Sequence, residues 1–386
     1  MKTRYVNLFY RLLFQIFIFL LPTQLAYHFW PDWALIQGIR VDYLAPTVYL
    51  TDILLIGLCV TYYAKNRISR LPWWLLIFGI VNILASLRWQ IAVIKWLKVG
   101  EMALLINLIS NDKFLNIKTW IIKPLTYSAI FFTLLASAQI ALGHTVGGLF
   151  YWLGERTFNT QTPGISLLFF FDHTYLKAYS TFSHPNSMAG FLGVSLLLFL
   201  ISKTKWAAKI ISGLGIVLTF SLGAFLGLVG SKLPKYFVYV FAGISLLLPI
   251  FSPWLITLNF PQNIADRLTL FTASWQMFSK HILFGVGLNN FIVGLTQITV
   301  NSGRVWLLQP VHNIISLIVS ETGVVGLGLV VYGVMKLYTK MNKKYLPIFM
   351  FIFITGMFDH YWLTLQQNLL LLAVVVGLSF RTTSRV

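Results

Sequence analysis

Three stretches of this chain gather polar side chains in patterns that could carry chemistry. In the first, Lys177-Ala-Tyr-Ser-Thr-Phe-Ser-His184-Pro185-Asn186-Ser-Met-Ala-Gly190, the proline suits the first turn of a helix, where no backbone donor is lost. His184 and Asn186 then stand at the positive end of that helix, where they either cap it or shape an anion site. In the second, Asp266-Arg267 opens an amphipathic stretch that ends near Lys280 and contains Trp275 and Met277. Phe284-Gly-Val-Gly287-Leu-Asn-Asn-Phe291 follows, but its Gly-x-Gly does not complete the dinucleotide fingerprint. Arg267 and Arg304 are the better phosphate ligands of this region, because a guanidinium meets two phosphate oxygens at once; each could equally be a solvated loop side chain. In the third, Val311-His312-Asn313 is separated by nine residues from Gly323-Val-Val-Gly326. Glu321 falls about two and a half turns below His312. An ionisable residue at that depth of an apolar helix is either functional or a polar contact between helices.

The elements that must position these groups belong to a very apolar chain. Of 386 residues, 58% are hydrophobic, 16% aromatic and only 10% charged, and the mean hydropathy is +0.78. A soluble chain carries about 25% charged residues and cannot bury this much apolar surface in domains of ordinary size. A soluble globule, a disordered chain and a disulfide-rich secreted domain are thereby excluded. Cys59, the single cysteine, has no internal partner. The expectation is an all-α polytopic transmembrane bundle, a single domain over residues 1–386. The net charge of +19 does not point to nucleic acid, because the basic residues fall in short clusters between apolar runs, none long enough to track a phosphate backbone.

A membrane span needs about 20 apolar residues. Candidates run over residues 8–28, 46–63, 71–87, 89–110, 119–142, 185–201, 236–256, 312–336, 346–358 and 362–380. The inner side is marked by Lys2, Arg4 and Arg11, by Lys65, Arg67 and Arg70, by Lys113, Lys118 and Lys123, by Lys203, Lys205 and Lys209, by Lys232 and Lys235, by Lys336, Lys340, Lys343 and Lys344, and by Arg381 and Arg385. Residues 210–231 lie between two inner clusters. They are therefore read as a hairpin of two short helices meeting at Ser221-Leu222-Gly223, not as one span; arms of about 15 Å have to be shielded by protein. This arrangement predicts about 12 membrane segments, both termini inside, and two large outer segments, 143–184 and 257–311. All seven histidines then fall at the outer face, and imidazole is the side chain best suited to proton transfer near neutral pH.

The F-S-H-P-N-S-M-A-G run, Arg267 with Trp275 followed by G-V-G-L-N-N-F, the H-N-x9-G-x-x-G pattern, and Asp359-His360-Tyr361 with Gln366-Gln367 occur in this order. Together they resemble the O-antigen ligase family of bacterial membrane glycosyltransferases, whose relatives include O-antigen polymerases and protein O-oligosaccharyltransferases. The resemblance covers roughly residue 143 to the C-terminus. It implies an all-helical transferase in the cytoplasmic membrane, surrounded by membrane lipids. Such an enzyme accepts an undecaprenyl-diphosphate-linked glycan on the outer leaflet and passes it to a hydroxyl acceptor, lipid or glycan. No nucleotide sugar, metal or other cofactor is implied, and the sequence contains no Asp-x-Asp.

Carried over residue by residue, the family's outer-loop arginine matches Arg267 and its essential histidine matches His312. On this reading Lys177, with Arg304 or Arg88, helps hold the diphosphate. His184, Asn186 and Asn313 shape the sugar end, and Glu321 sets the protonation or tautomer of His312. Two positions depart from the pattern. Lys177 stands where the family often has Arg, which keeps the charge and loses the bidentate fork, and Leu222 stands where its hairpin often has Arg. A polymerase using the same donor remains an alternative, since acceptor choice depends on loop shape. A flippase for the same lipid is a rival of another class, although the chain shows no internal repeat.

Overall fold

A computed structural model describes residues 2–64, 66–68, 73–234, 236–258, 260–298 and 305–381. Arg304 and the basic residues Lys65, Arg70, Lys235 and Arg385 lie outside the described residues, as do the side chains of Lys2 and Arg4. The fold is 69% helix and 6% strand, so it is mostly helical and not all-α.

The described helices are α1 (Lys2–Phe19), α2 (Leu50–Tyr63), α3 (Trp73–Leu84), α4 (Trp89–Asn111), α5 (Lys123–Leu142), α6 (Pro185–Ile201), α7 (Trp206–Thr219), α8 (Leu222–Gly230), α9 (Phe237–Leu255), α10 (Gln262–Lys280), α11 (Phe291–Ile298), α12 (Ile314–Lys340), α13 (Leu346–Gly356), α14 (Tyr361–Thr364) and α15 (Gln366–Ser379). Three stretches, Lys118–Leu142, Phe237–Leu258 and Ile314–Lys340, are long and apolar enough to cross a membrane. They mark the chain as a membrane protein. The other apolar helices have 10–17 residues, so the expected count of about 12 segments exceeds what helix length alone supports. α4 reaches 23 residues but carries Lys98, which pairs with the buried Asp52 of α2. Asp52 also accepts from Gln366 Nε2 at 2.5 Å.

The strands form three two-stranded antiparallel ribbons: Ala26–His28 with Thr47–Tyr49, Leu35–Ile36 with Ile39–Arg40, and Leu167–Phe170 with His173–Leu176. Hydropathy cannot reveal them, because each is too short to show a periodicity. Two turn within two residues, at Gln37-Gly38 and Phe171-Asp172, and all four of those residues have positive φ, the backbone of a tight hairpin turn.

α6 is buried over most of its length and packs against α5, α7, α8, α13 and α15. Its glycines let aromatic rings lie on it. A Cβ at Gly190 would sit 2.5 Å from the Tyr361 ring, and one at Gly193 would sit 2.2 Å from Phe351. Residues 210–231 are two helices, α7 and α8, broken at Phe220 with φ +50° and capped by Ser221. Leu218 O accepts from Ala178 N, while Gly223 faces Phe358 and Gly227 faces Thr355 and Phe351. α7 therefore ends near the start of α6, and α8 runs back along α13.

The second large outer segment does not stay outside the bundle. α12 is interrupted at Gly323, with φ +65° and ψ −168°, roughly 16 Å along the axis from its start at Asn313. Residues 281–290 enter alongside this break. Val324 N donates to Ile282 O and Val325 N to Leu283 O; Val286 N donates to Ser320 O and Gly287 N to Glu321 O. Asn82 of α3, fully buried, completes the clasp. Its amide donates to Phe284 O and Glu321 O, and its Oδ1 accepts from Trp96 Nε1 and Leu288 N. His281 thus lies beside the middle of α12, away from His312 at its start. The physical reason is the break itself, whose freed backbone groups need partners inside an apolar bundle.

A Cβ at Gly285 would stand 2.3 Å from Glu321 C, and one at Gly323 2.3 Å from Leu283 O. Gly285→Ala and Gly323→Ala should each cost more than about 1 kcal/mol, combining a positive φ with collision against backbone. Gly328→Ala, which meets nothing within 4 Å, should be neutral or slightly stabilising. Thermal unfolding in detergent, followed by tryptophan fluorescence, checks the ranking; equal stability of all three variants would refute the clasp.

Candidate active site around Asp359

Three chain segments end together around the carboxylate of Asp359, in the turn between α13 and α14. The first is the start of α6. His184 is its N-cap, with extended backbone and Pro185 in the first turn. His184 Nδ1 accepts from Asn186 N at 3.1 Å, so the proton of the neutral ring sits on Nε2 and is donated to Ser166 Oγ at 3.1 Å. Asn186 Nδ2 donates to Asp359 Oδ2 at 2.9 Å. The second is the turn itself, where His360 N donates to Asp359 Oδ1 at 2.8 Å. Thr364 Oγ1 donates to the His360 carbonyl and lies 2.8 Å from His360 Nδ1. That contact satisfies Nδ1, so Nε2 is the ring nitrogen turned to Asp359 Oδ1, 3.9 Å away.

The third segment is the start of α12. His312 Nδ1 stands 3.6 Å from Asp359 Oδ1, within ion-pair range and too far for a hydrogen bond. That nitrogen is buried and has no hydrogen-bond partner. The His312 and His360 rings are 5.2 Å apart. Arg267 of α10 is exposed and reaches the same turn, its Nη1 3.4 Å from Phe358 O. Lys177 follows the ribbon strand His173–Leu176, and its charge, with that of Arg267, acts on His184.

Burial sets the protonation states. It pushes His184 down to about 4 and, with the neighbouring imidazoles, His360 down to about 3, the charge of Asp359 opposing in both cases. Burial would raise Asp359, but contact with His312 and the imidazoles of His360 and His184 outweigh it and hold the carboxyl well below the usual carboxylate range. Asp359 is the fixed negative charge of the cluster. His312, Asp359 and His360 also offer two imidazole nitrogens and one carboxylate oxygen within 4.8 Å of one another, a set able to hold a metal ion.

His184, Asn186, Arg267 and His312 are thus brought to one place, with Lys177 near enough for its charge to act on His184. Three other residues singled out in the sequence are committed elsewhere. Asn313 caps α12, accepting from Ile315 N and Ser316 N, and donates to Ser245 Oγ and Met357 O. Glu321 accepts from Phe291 N at 3.2 Å; the break at Gly323 turns it towards the entering segment, and it does not reach His312. Arg88 donates through Nη1 to the carbonyls of Trp33 and Leu35, both at 2.8 Å, and so fastens a loop.

Asp359 and His360 are central to the site, although in the sequence they stood only as part of a family-like stretch. An acidic residue beside a histidine, in a chain with 10 acidic residues, was the available signal. Arg156 was missed altogether. It donates to Ser183 O at 2.9 Å, next to His184, and lies over the Tyr179 ring. Behind the cluster is a cavity of about 440 Å³ whose mixed lining includes His28, Tyr43, Lys95, Lys98, Arg156 and Thr364. Tyr43 packs edge-on against His360 at 5.5 Å, so this cavity adjoins the cluster on the His360 side.

Because His184 and His360 titrate far below the ordinary value of about 6.5, the unfolded chain takes up these protons first on acidification. Their burial is fully tolerated above about pH 6.5, and stability falls as the pH drops towards 4. By pH 5 each should remove about 2 kcal/mol. Asp359 stays ionised in this window and adds nothing. Thermal unfolding between pH 8 and 5 should show the loss, and His360→Gln should flatten it; an identical slope in that variant would refute the assignment. No protein-family model and no curated protein matches this chain.

Proposed function

We propose that this chain is a membrane glycosyltransferase of the O-antigen ligase type. It would transfer a glycan from an undecaprenyl-diphosphate-linked donor to a hydroxyl acceptor, lipid or glycan. In this reading the protein lies in the cytoplasmic (inner) membrane of a bacterium as about 12 membrane segments, with both termini cytoplasmic and the Asp359 cluster on the outer side. The observation that carries it is a buried carboxylate, Asp359, with His312 at ion-pair distance, Arg267 on the carbonyl of the preceding residue, and Lys177 near enough for its charge to act on His184.

The groups suit the reaction. His312 takes the acceptor's hydroxyl proton on Nε2 while Nδ1–H points at Asp359, which orients the ring and stabilises the imidazolium. A separation of 3.6 Å is loose for that contact, as catalytic hydrogen bonds often are before substrate binds. The acceptor oxygen bonds to the anomeric carbon and the carbon–diphosphate bond breaks, inverting the configuration. The diphosphate leaves as an anion stabilised by Arg267 and Lys177. Positive side chains neutralise the leaving group, so turnover needs no divalent cation. The cavity behind His360 is large enough for part of an acceptor.

Purified protein incubated with a defined undecaprenyl-diphosphate oligosaccharide and candidate acceptors should release undecaprenyl diphosphate together with ligated glycan. Lengthened glycan would make it a polymerase, and movement of intact donor between leaflets a flippase. His312→Ala should abolish transfer without loss of the folded protein. Arg267→Lys should cost on the order of 2 kcal/mol or more in kcat/KM, while Lys177→Arg is tolerated. Full activity in either the His312 or the Arg267 variant, or inhibition by a chelator, would overturn the mechanism.

Topology is tested separately in a Cys59→Ala background. Cysteines at the exposed Lys205 and Lys232 positions should both resist an outside-only thiol reagent, and one at the exposed Gln161 should react. Labelling at the Lys232 position from outside would sink the hairpin orientation.

A further inference from the structure

The His312 side of the cluster contains an unresolved electrostatic feature. His360 Nδ1 is engaged by Thr364 Oγ1, which leaves Nε2 facing Asp359 Oδ1 at 3.9 Å. His312 Nδ1 lies 3.6 Å from the same oxygen, is buried, and has no hydrogen-bond partner. Two nitrogens and a carboxylate oxygen therefore surround one spot, all within 4.8 Å of one another. A buried carboxylate beside an imidazole nitrogen that has no hydrogen-bond partner calls for positive charge between them.

A proton on His312 can supply that charge, and so can a divalent cation. The donor set chooses among cations. Two imidazoles with one carboxylate suit zinc and its first-row neighbours, whereas magnesium and calcium prefer oxygen throughout. With bonds near 2.0–2.1 Å, tetrahedral ligand atoms stand roughly 3.3 Å apart, so the nitrogen–oxygen separations of 3.6 and 3.9 Å close by about 0.3 and about 0.6 Å, and the two imidazole nitrogens, within 4.8 Å of each other, by at most about 1.5 Å. Outer contacts that orient bound ligands are already present: Asn186 Nδ2 on the second carboxylate oxygen, and Thr364 Oγ1 on the far nitrogen of His360.

We propose that His312 Nδ1, Asp359 Oδ1 and His360 Nε2 form a binding site for a zinc-class divalent cation, which competes with the proton on His312 Nδ1 and switches the site off. When the metal takes the Nδ1 lone pair of neutral His312, the proton held there moves to Nε2. Nε2 then has no lone pair left to accept a hydroxyl proton. The binding itself does not depend on the transferase reading; the inhibition rests on it.

The test uses the purified full chain in detergent, without donor or acceptor. Titration with Co2+ should develop visible d–d bands that saturate at one ion per chain and vanish on addition of Zn2+. Asp359→Asn and His360→Gln, compared by gel filtration for intact fold, should each weaken Co2+ binding about 10-fold or more, since even losing an outer contact to a metal ligand costs 10–100-fold. Absence of bands in the folded wild type, or wild-type affinity in either folded variant, would overturn the site. A transfer assay then separates the two readings. Zn2+ should lower kcat, and a chelator should restore it. Binding without any transfer would sink the enzyme reading and leave the metal site standing, and transfer unaffected by bound Zn2+ would sink the switch.

Discussion

One end of this bundle is organised by the need to compensate a single buried carboxylate. Asp359 cannot be solvated where it sits, so the chain brings donors to it: the amide of Asn186 from the start of α6 and the backbone N–H of His360 from its own turn, with the His312 imidazole at ion-pair distance. Each of these comes from a different segment. Satisfying the carboxylate therefore fixes the relative placement of α6, α12 and the α13–α14 turn, and the cluster's reactive groups follow from that placement. Losing the carboxylate would remove both a charge and the reason these three ends meet.

A second constraint acts lower in the bundle and holds the first in place. Gly323 divides α12, and the entering residues 281–290 take up the exposed backbone groups. Asn82 uses two donors and two acceptor contacts to lock α3, α4, α12 and the entering segment together. The half of α12 that carries His312 is thereby a short helix with both ends fixed, one by Asn313 and one by the clasp. A continuous helix would have left its tilt to apolar packing, which is far less directional than hydrogen bonding.

Much of this was legible in the residues. Pro185 announced the start of α6, with His184 as its cap, and the break near Ser221 followed from two basic clusters separated by too little apolar chain. Arg267 and His312, expected on one side of the chain's path, both reach the Phe358–Asp359 turn. What failed were inferences about distance along a helix. Glu321 was linked to His312, although residues so spaced are roughly 13.5 Å apart along the axis and no glutamate spans that gap. Arg88 looked free to bind an anion because sequence does not show which loop carbonyls lack donors. The ribbons were invisible to hydropathy, and their two-residue turns use Gln, Phe and Asp at positive φ where glycine or asparagine is the usual sign. His360 and Asp359 were underweighted because their significance lies in what packs around them.

The caps at the two helix starts carry a consequence for the electrostatic potential of the site. At α6 the first free amide is given to His184 Nδ1, and at α12 the amides of Ile315 and Ser316 are given to Asn313 Oδ1. The lower half of α12 is closed in the same way, its amides at Val324 and Val325 facing the carbonyls of Ile282 and Leu283. The amides of Asn186, Ile315, Ser316, Val324 and Val325 are thereby closed to the backbone anion binding that helix N-termini offer elsewhere. Positive charge beside these helix starts thus comes from side chains, Arg267 at the Phe358 carbonyl and Lys177 through its field on His184, and it can be changed by single substitutions without disturbing the helices beneath.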